Sequence, residues 1–324
     1  LIDAPLPAPQ AERIAELCPG VELLHGLSPE ALKRADVVYT NFGKFDPADA
    51  PRLRWVQVCS AAVNHILAGP LRGFAGPIAN VRGAYTIAVA ELTISLLLAL
   101  GRRFGATHTL QMRSEWPPEL PPLVADKCHG KTLGVVGYGS IGRRVARIAD
   151  ALGMTILACK RRPEIRQEKE CVFPGLLGDP RGEIPRAWYG PAQLPEMFAA
   201  CDAVAVALPA APTTLGLIGE AALAALPAHA HFVNIGRGTV VDEAALIERL
   251  RGGKLAAAGL DVFAIEPLPA NSPLWTLPNV FITPHVASYT RDQAMVATEV
   301  LVENLTRHLT GRPLTNVIDV EAGY

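Results

Sequence analysis

The sequence is short of the features that mark a secreted, membrane-bound or nucleic-acid-binding chain. Its six cysteines (Cys18, Cys59, Cys128, Cys159, Cys171 and Cys201) lie at wide, irregular intervals with no CxxC pair. That excludes a compact disulfide framework and fits reduced thiols serving as core filler in a cytoplasmic protein. No apolar run is long enough to span a bilayer. The longest, Ile87 to Leu100, carries Glu91 and is followed by Arg102-Arg103, so it reads as a buried helix and no membrane partner is expected. Cations cluster only at Lys160-Arg161-Arg162 and the formal net charge is −1, which leaves no basic face for a nucleic acid and makes a small molecule the better partner. The proline-rich opening, Pro5 to Pro9, lacks the basic and apolar regions of a signal peptide. It leaves room for a natural N-terminus, and a first strand, upstream of Leu1.

What is present points to an α/β enzyme. With 324 residues, half of them hydrophobic, the chain can bury a sizeable core and is long enough for two domains. From Ala11 to about Ile66, helix-like segments (Ala11 to Leu17, Pro29 to Arg34) alternate with strand-like runs (Val37 to Tyr39, Trp55 to Val58), the rhythm of an α/β unit with a parallel sheet. Residues 84–104 read as one long buried helix, and the first boundary is expected near residue 102. Strand-like runs then recur at Leu133 to Val136, Thr155 to Cys159, Ala203 to Leu208, His231 to Ile235 and Ala256 to Leu260, predicting a doubly wound sheet. The stretch from Pro163 to Pro195 breaks that rhythm with prolines and glycines and reads as an excursion on the rim of the second domain.

Gly137-Tyr138-Gly139-Ser140-Ile141-Gly142 follows one apolar strand and opens the helix-like segment Arg143 to Leu152. In that setting the first glycine permits a tight turn, the second admits a pyrophosphate and the third lets helix pack on strand. The phosphates would rest on amides at the helix N-terminus, with Gly137, Gly139, Ser140, Ile141 and Gly142 as cofactor contacts. An NAD-selective site carries an acidic residue at the end of the following strand. Here that strand ends in Cys159-Lys160-Arg161-Arg162 and no carboxylate appears before Glu164. Lys160, Arg161 and Arg162 stand where a 2′-phosphate would need neutralising, so NADP(H) is favoured and NAD(H) possible.

Reduction of a 2-oxo acid requires a cationic fork for the carboxylate, an acid for the nascent alkoxide and a group that tunes the acid. Arg237 lies directly after a strand, in Val233-Asn234-Ile235-Gly236-Arg237-Gly238, and would project from the carboxyl edge of the sheet. Its guanidinium can hold a carboxylate bidentately and polarise the ketone. Glu266 follows Asp261-Val262-Phe263, and His285 sits in Thr283-Pro284-His285-Val286-Ala287-Ser288. Paired, the carboxylate would orient the imidazole and favour the protonated form that donates near neutrality.

On these motifs the chain resembles the D-isomer-specific 2-hydroxyacid dehydrogenases. The likeness runs from about residue 55 to the end through Val89-Ala90-Glu91, the glycine motif, Asn234 to Glu243, Asp261 to Pro267, and Ser272-Pro273-Leu274-Trp275 on to Pro284-His285. The resemblance implies a Rossmann dinucleotide-binding domain over 102–284 and a flavodoxin-like α/β substrate domain over 1–101, to which the chain returns at 285–324. It assigns catalysis to Arg237, Glu266 and His285. Asp261 is placed near the nicotinamide carboxamide, and Leu208, Pro209 and Ile235 join the cofactor contacts. The substrate carboxylate would meet backbone amides in Cys59 to His65, at Ala61 and Ala62, together with Arg237 and His285. A homodimer built in part on the helix after Ala84 is also implied.

Departures narrow the substrate. Glu266 argues against formate dehydrogenases, which replace it. Phosphite dehydrogenases carry a lysine where Ala61 stands, and phosphoglycerate dehydrogenases an arginine at the place of Val58. Glyoxylate, hydroxypyruvate or pyruvate fit such a pocket. Of the remaining candidates, His229 and His231 lack a third ligand at zinc-like spacing, so no metal is expected. His65 reads as a solvent-facing loop residue and Trp275 as a packed anchor. The alternative function is a nicotinamide-sensing binding module with incidental catalysis; the complete triad favours the enzyme.

Overall fold

A computed structural model describes residues 1–168 and 173–323 of the chain. Two compact units emerge: Leu1–Tyr85 with Glu170–Pro174 and Tyr289–Tyr324, and Thr86–Lys169 with Gly175–Ser288. The first boundary was expected near residue 102 and falls at Tyr85/Thr86. The apolar helix Thr86–Gly101 explains the shift, because it packs on the helix Ser140–Ala151 and on two strands of the second unit's sheet. The return to the first unit comes at Tyr289, a few residues after the expected 285.

The first unit is built on a four-stranded parallel sheet in the order β1 (Ile2–Asp3), β2 (Val37–Thr40), β3 (Trp55–Val58) and β4 (Ile78–Ala79). A first strand is therefore present within the chain: Ile2 and Asp3 lie in register with Tyr39 and Thr40. Strands β3 and β4 are wholly buried, as a parallel sheet covered on both faces requires. The helices Ala8–Leu17 and Gln293–Leu309 cover one face, where Ile14 packs with Trp55, Leu301 and Leu305.

The second unit holds seven parallel strands: β5 (Thr132–Val136), β6 (Thr155–Cys159), β7 (Ala187–Tyr189), β8 (Ala203–Val206), β9 (His231–Asn234), β10 (Ala257–Leu260) and β11 (Val280–Ile282), in the spatial order β11-β10-β9-β8-β5-β6-β7. The order reverses between β5 and β8, and a doubly wound sheet opens its ligand crevice at that switch, outside the carboxyl ends of the strands. The excursion contributes β7, so the Pro163 to Pro195 stretch is partly sheet rather than wholly rim.

The helix expected over 84–104 is two. Thr86–Gly101 stops at Arg102-Arg103, where Arg103 takes a left-handed φ of 54° and donates from Nε to the Val124 carbonyl. The following helix, Phe104–Met112, buries no residue of its own. Phe104, Met112, Trp116, Leu120 and Val124 are all exposed there, Trp116 to 90%.

Candidate active site

Three adjacent strands carry the polar triad to one edge. Leu260 of β10 is in register with Asn234 of β9 on one side and Ile282 of β11 on the other, so the segments leaving these strands emerge together. Arg237 comes three residues after Asn234, and His285 three after Ile282. Glu266 comes at the end of a longer turn after Leu260.

Asn234 is buried and clamps the Arg237 turn from both sides. Its Oδ1 accepts from the Gly236 amide at 3.1 Å and its Nδ2 donates to the Arg237 carbonyl at 3.1 Å. The Arg237 guanidinium donates from Nη1 to the Gly236 carbonyl at 2.5 Å. Burial lowers its pKa from the ordinary value, opposed by the charges of Glu266 and Asp261. An arginine so placed remains a cation, and the donors not bonded to Gly236 suit a planar anion.

His285 stands at a left-handed φ of 55° and donates from Nδ1 to Glu266 Oε2 at 2.6 Å. The ring nitrogen left for a substrate is Nε2. Glu266 is itself fixed, since its Oε1 accepts the Phe263 amide at 2.9 Å. The turn beneath His285 hangs on Asp261, whose fully buried carboxylate accepts from Thr283 Oγ1 at 2.6 Å, the Val286 amide at 2.9 Å and the Ala287 amide at 3.1 Å. Asp261 was expected beside a nicotinamide carboxamide; here both of its oxygens hold the histidine turn.

The glycine motif forms the tight turn that its spacing predicts. Gly137 has φ +98°, and a Cβ there would meet the Ala207 carbonyl oxygen at 2.7 Å, while one on Gly142 would meet the Gly137 carbonyl oxygen at 2.1 Å. A Cβ on Gly139, by contrast, would meet nothing within 4 Å. Gly139 caps the helix Ser140–Ala151 with no side chain on its first amides. Closed glycines around an open one, at an uncapped N-terminus, fit a pyrophosphate. Ser140 and Ile141 lie half-buried on this first turn. Leu208 lines the space between the two sites: its side chain lies against Gly137 and its backbone against Gly236. Pro209 follows with its carbonyl held by Thr214, and the Ile235 amide donates to Val206.

The cations after β6 are not equivalent. Lys160 donates from Nζ to the Ile165 carbonyl at 2.7 Å, closing the turn, and burial lowers its pKa. Arg161 and Arg162 are exposed beside it.

In the first unit, the loop after β3 turns its carbonyls inward. Tyr85 donates to Cys59 O, Val81 N to Ser60 O, Asn80 Nδ2 to Ala61 O at 2.9 Å and Ser60 Oγ to Ala62 O at 2.6 Å. No protein acceptor among the described residues takes the Ala61 or Ala62 amide, the pattern of an anion-binding backbone. His65 is exposed, as expected, and its Nε2 donates to the Asn41 carbonyl at 2.9 Å. Trp275 is not the packed anchor expected: it is 51% exposed with Nε1 on the Pro269 carbonyl, and its neighbour Leu274 is buried.

Cys18, Cys159 and Cys201 are buried free thiols, Cys59 and Cys128 are half-buried, and Cys171 lies outside the described residues. His229 pairs with Asp202 at 3.0 Å. Among the described residues no group of three His, Cys, Asp or Glu could hold a metal ion, and no helix is long and apolar enough to cross a membrane.

The family model for "D-isomer specific 2-hydroxyacid dehydrogenase, NAD binding domain" matches residues 94–287. The chain belongs to this family. It is an NAD(P)-dependent D-2-hydroxyacid dehydrogenase, an oxidoreductase. The dehydrogenase is similar to the glyoxylate reductase of Aeropyrum pernix, 35% identical over 300 residues that span 89% of this chain and 84% of the relative. It is 32% identical over 326 residues to glyoxylate/hydroxypyruvate reductase B of Serratia proteamaculans, covering 97% and 95% of the two chains. Among solved structures, the NADPH-dependent glyoxylate/hydroxypyruvate reductase of Sinorhizobium meliloti, in complex with NADP and sulfate, matches with a TM-score of 0.77 and 28% identity, covering 100% of this chain and 98% of that one.

The sequence names Asp261, but not its hold on the His285 turn nor that of Asn234 on the Arg237 turn. Asn234 sits within the Arg237 motif and Asp261 directly after β10, yet their roles rest on bonds to turns whose folding no spacing predicts.

Proposed function

We propose that the dehydrogenase reduces a small 2-oxo acid with an uncharged tail, of the glyoxylate, hydroxypyruvate or pyruvate type, with NADPH preferred to NADH. The observation that carries the reading is the Glu266–His285 pair standing at the same sheet edge as Arg237. A reduced nicotinamide dinucleotide held on the turn Gly137 to Gly142 would supply the hydride. Arg237 forks onto the carboxylate and carbonyl oxygen, so charge developing on that oxygen meets a fixed cation. His285 delivers the proton from Nε2 to the alkoxide, and Glu266 keeps the ring turned and carries the countercharge while the ring is protonated. In the first unit by itself, the Ala61 and Ala62 amides offer donors suited to a carboxylate. In the oxidative direction the same Nε2 accepts the hydroxyl proton.

Support for NADPH comes from Arg161 and Arg162, exposed where a selective carboxylate would otherwise stand. The NADP held by the Sinorhizobium relative agrees with it. Homodimerisation accounts for the uncovered apolar side chains of Phe104, Met112, Trp116 and Leu120, which a second copy would bury. A steady-state assay with NADPH and NADH against a panel of 2-oxo acids tests the reading. Turnover of glyoxylate or hydroxypyruvate with NADPH is expected; preference for 3-phosphohydroxypyruvate or formate, or equal efficiency with NADH, would overturn the substrate or the cofactor half of it. Sedimentation of the parent and of Trp116→Asp tests the dimer, which the variant should dissociate.

A further inference from the structure

The excursion after β6 is fastened to the dinucleotide motif itself. One motif residue and the residue just after the motif reach into it, from the turn before the helix Ser140–Ala151 and from the helix itself. Arg143, the first residue after Gly142, has a side chain with 0% exposure. Its Nη1 donates to the Asp179 carbonyl at 2.6 Å and its Nη2 to the Arg166 carbonyl at 2.5 Å, with the Glu168 carboxylate 3.9 Å from Nε. Tyr138, the residue between the first two motif glycines, donates to Asp179 Oδ2 at 2.7 Å. The buried Asp179 carboxylate also accepts the Glu183 and Ile184 amides at 2.9 and 3.2 Å. The Arg143 guanidinium lies 5.1 Å from the Tyr138 ring centroid, and that ring stands edge-on to Trp188 at 4.9 Å. Trp188 belongs to β7, so the cluster ties motif, excursion and edge strand together.

A buried guanidinium is costly unless its donors are met by well-placed acceptors. The sequence places this one four residues into the phosphate-binding helix and gives it carbonyls at 166 and 179 as partners. The first of those carbonyls neighbours Ile165, which Lys160 holds from the other side. The turn that begins at the end of β6 is thus anchored at its start by the Lys160 amide on the Tyr189 carbonyl, and at its far end by the Lys160 ammonium on Ile165 and by Arg143 on Arg166. Arg161 and Arg162 lie inside the pinned span.

We infer that Arg143, with Tyr138 and Asp179, positions the 160–166 turn and thereby presents Arg161 and Arg162 to the 2′-phosphate of the cofactor. This rests on the NADPH reading above. It gives the excursion a role: the inserted chain is a buttress for the adenosine end of the site, locked to the same helix that receives the pyrophosphate. Asp179 is the far anchor, organising the 179–184 turn against Tyr138.

Calorimetric titration with adenosine 2′,5′-bisphosphate and with AMP, which differ by the 2′-phosphate alone, reads the effect in the intact enzyme without turnover. The parent should bind the 2′-phosphorylated ligand more tightly. Arg143→Lys replaces a fork that spans two carbonyls with a point charge that satisfies one, and should reduce that preference about tenfold, the scale of one lost charge-assisted hydrogen bond. Tyr138→Phe, a milder change that keeps the ring packing, should reduce it by a few-fold and guards against a folding failure of the first variant. AMP affinity should stay within about twofold in both, whereas a merely structural role would weaken both ligands together. Amide hydrogen exchange should rise in 160–166 and 179–184 in the same variants. A parent without preference overturns the cofactor reading and this inference with it. A parent with preference that both variants retain, or unchanged exchange in the 160–166 turn, overturns the inference alone.

Discussion

Glu266 and His285 meet through one carboxylate oxygen at 2.6 Å, and the other oxygen of Glu266 is already taken by the Phe263 amide. Both oxygens must therefore accept. A glutamine at this position has one acceptor and one donor group, so it can satisfy the Phe263 amide or the imidazole N–H, and faces the other with a second donor. Glu266→Gln should lower kcat for reduction by roughly a hundredfold, the lower range of general acid–base contributions. NADPH affinity should be unchanged. Single-turnover reduction and fluorescence titration of NADPH separate the two effects, and near-parental kcat would remove Glu266 from the triad.

Arg237 already gives Nη1 to the Gly236 carbonyl, which fixes the plane of the fork and leaves the remaining donors for substrate. Lysine has no such plane and cannot contact carboxylate and carbonyl oxygen in the same geometry. Arg237→Lys should cost about a hundredfold or more in kcat/KM, comparable to removing a fixed donor from a developing oxyanion. A kcat/KM within a few-fold of the parent would mean that Arg237 is not the substrate clamp.

Much of the second unit was legible because its strands are short apolar runs separated by helical periods. Thr155–Cys159 matches the expected strand in full, and β8, β9 and β10 differ from expectation by a residue or two at their ends. Strands β1 and β4, two residues each, carry too little sequence to register as a period. β7 was hidden within the prolines and glycines of the excursion, and the break at Arg103 turns on one left-handed residue. The triad was legible as residue types in motifs. What holds the triad in place was not: Asp261 reaches Val286 across 25 residues and Tyr138 reaches Asp179 across 41, and side-chain bonds of that range leave no periodic trace.

The exposed arginines after β6 set the cofactor prediction. Lys160 spends its ammonium on closing the turn, so discrimination falls to Arg161 and Arg162. Replacing both with alanine should cut kcat/KM for NADPH by tenfold or more, at roughly 1.5–3 kcal/mol per charge-assisted contact. NADH efficiency should change little. Equal loss with both cofactors would assign these arginines to folding or to the pyrophosphate.

The carboxylate loop makes a prediction of a different kind, because the residue that shapes it touches no substrate. Asn80 donates from Nδ2 to the Ala61 carbonyl at 2.9 Å and accepts the Arg82 amide at 3.0 Å through Oδ1. It thus holds the peptide unit whose carbonyl faces inward, and the amides of Ala61 and Ala62 are left pointing elsewhere. Asn80→Leu keeps a similar volume but offers neither bond, and the freed carbonyl can rotate toward the space an anion would occupy. Substrate binding should suffer more than chemistry: KM for glyoxylate should rise by about tenfold, the scale of one or two lost hydrogen bonds, with kcat at saturation within a few-fold of the parent. Asn80→Asp retains the acceptor for Arg82 but loses the donor, so it separates the two contacts. If it behaves like the leucine variant, the bond to Ala61 is the one that matters. An unchanged KM in both variants would show that the loop keeps its shape without Asn80, and would remove the main support for Ala61 and Ala62 as carboxylate ligands.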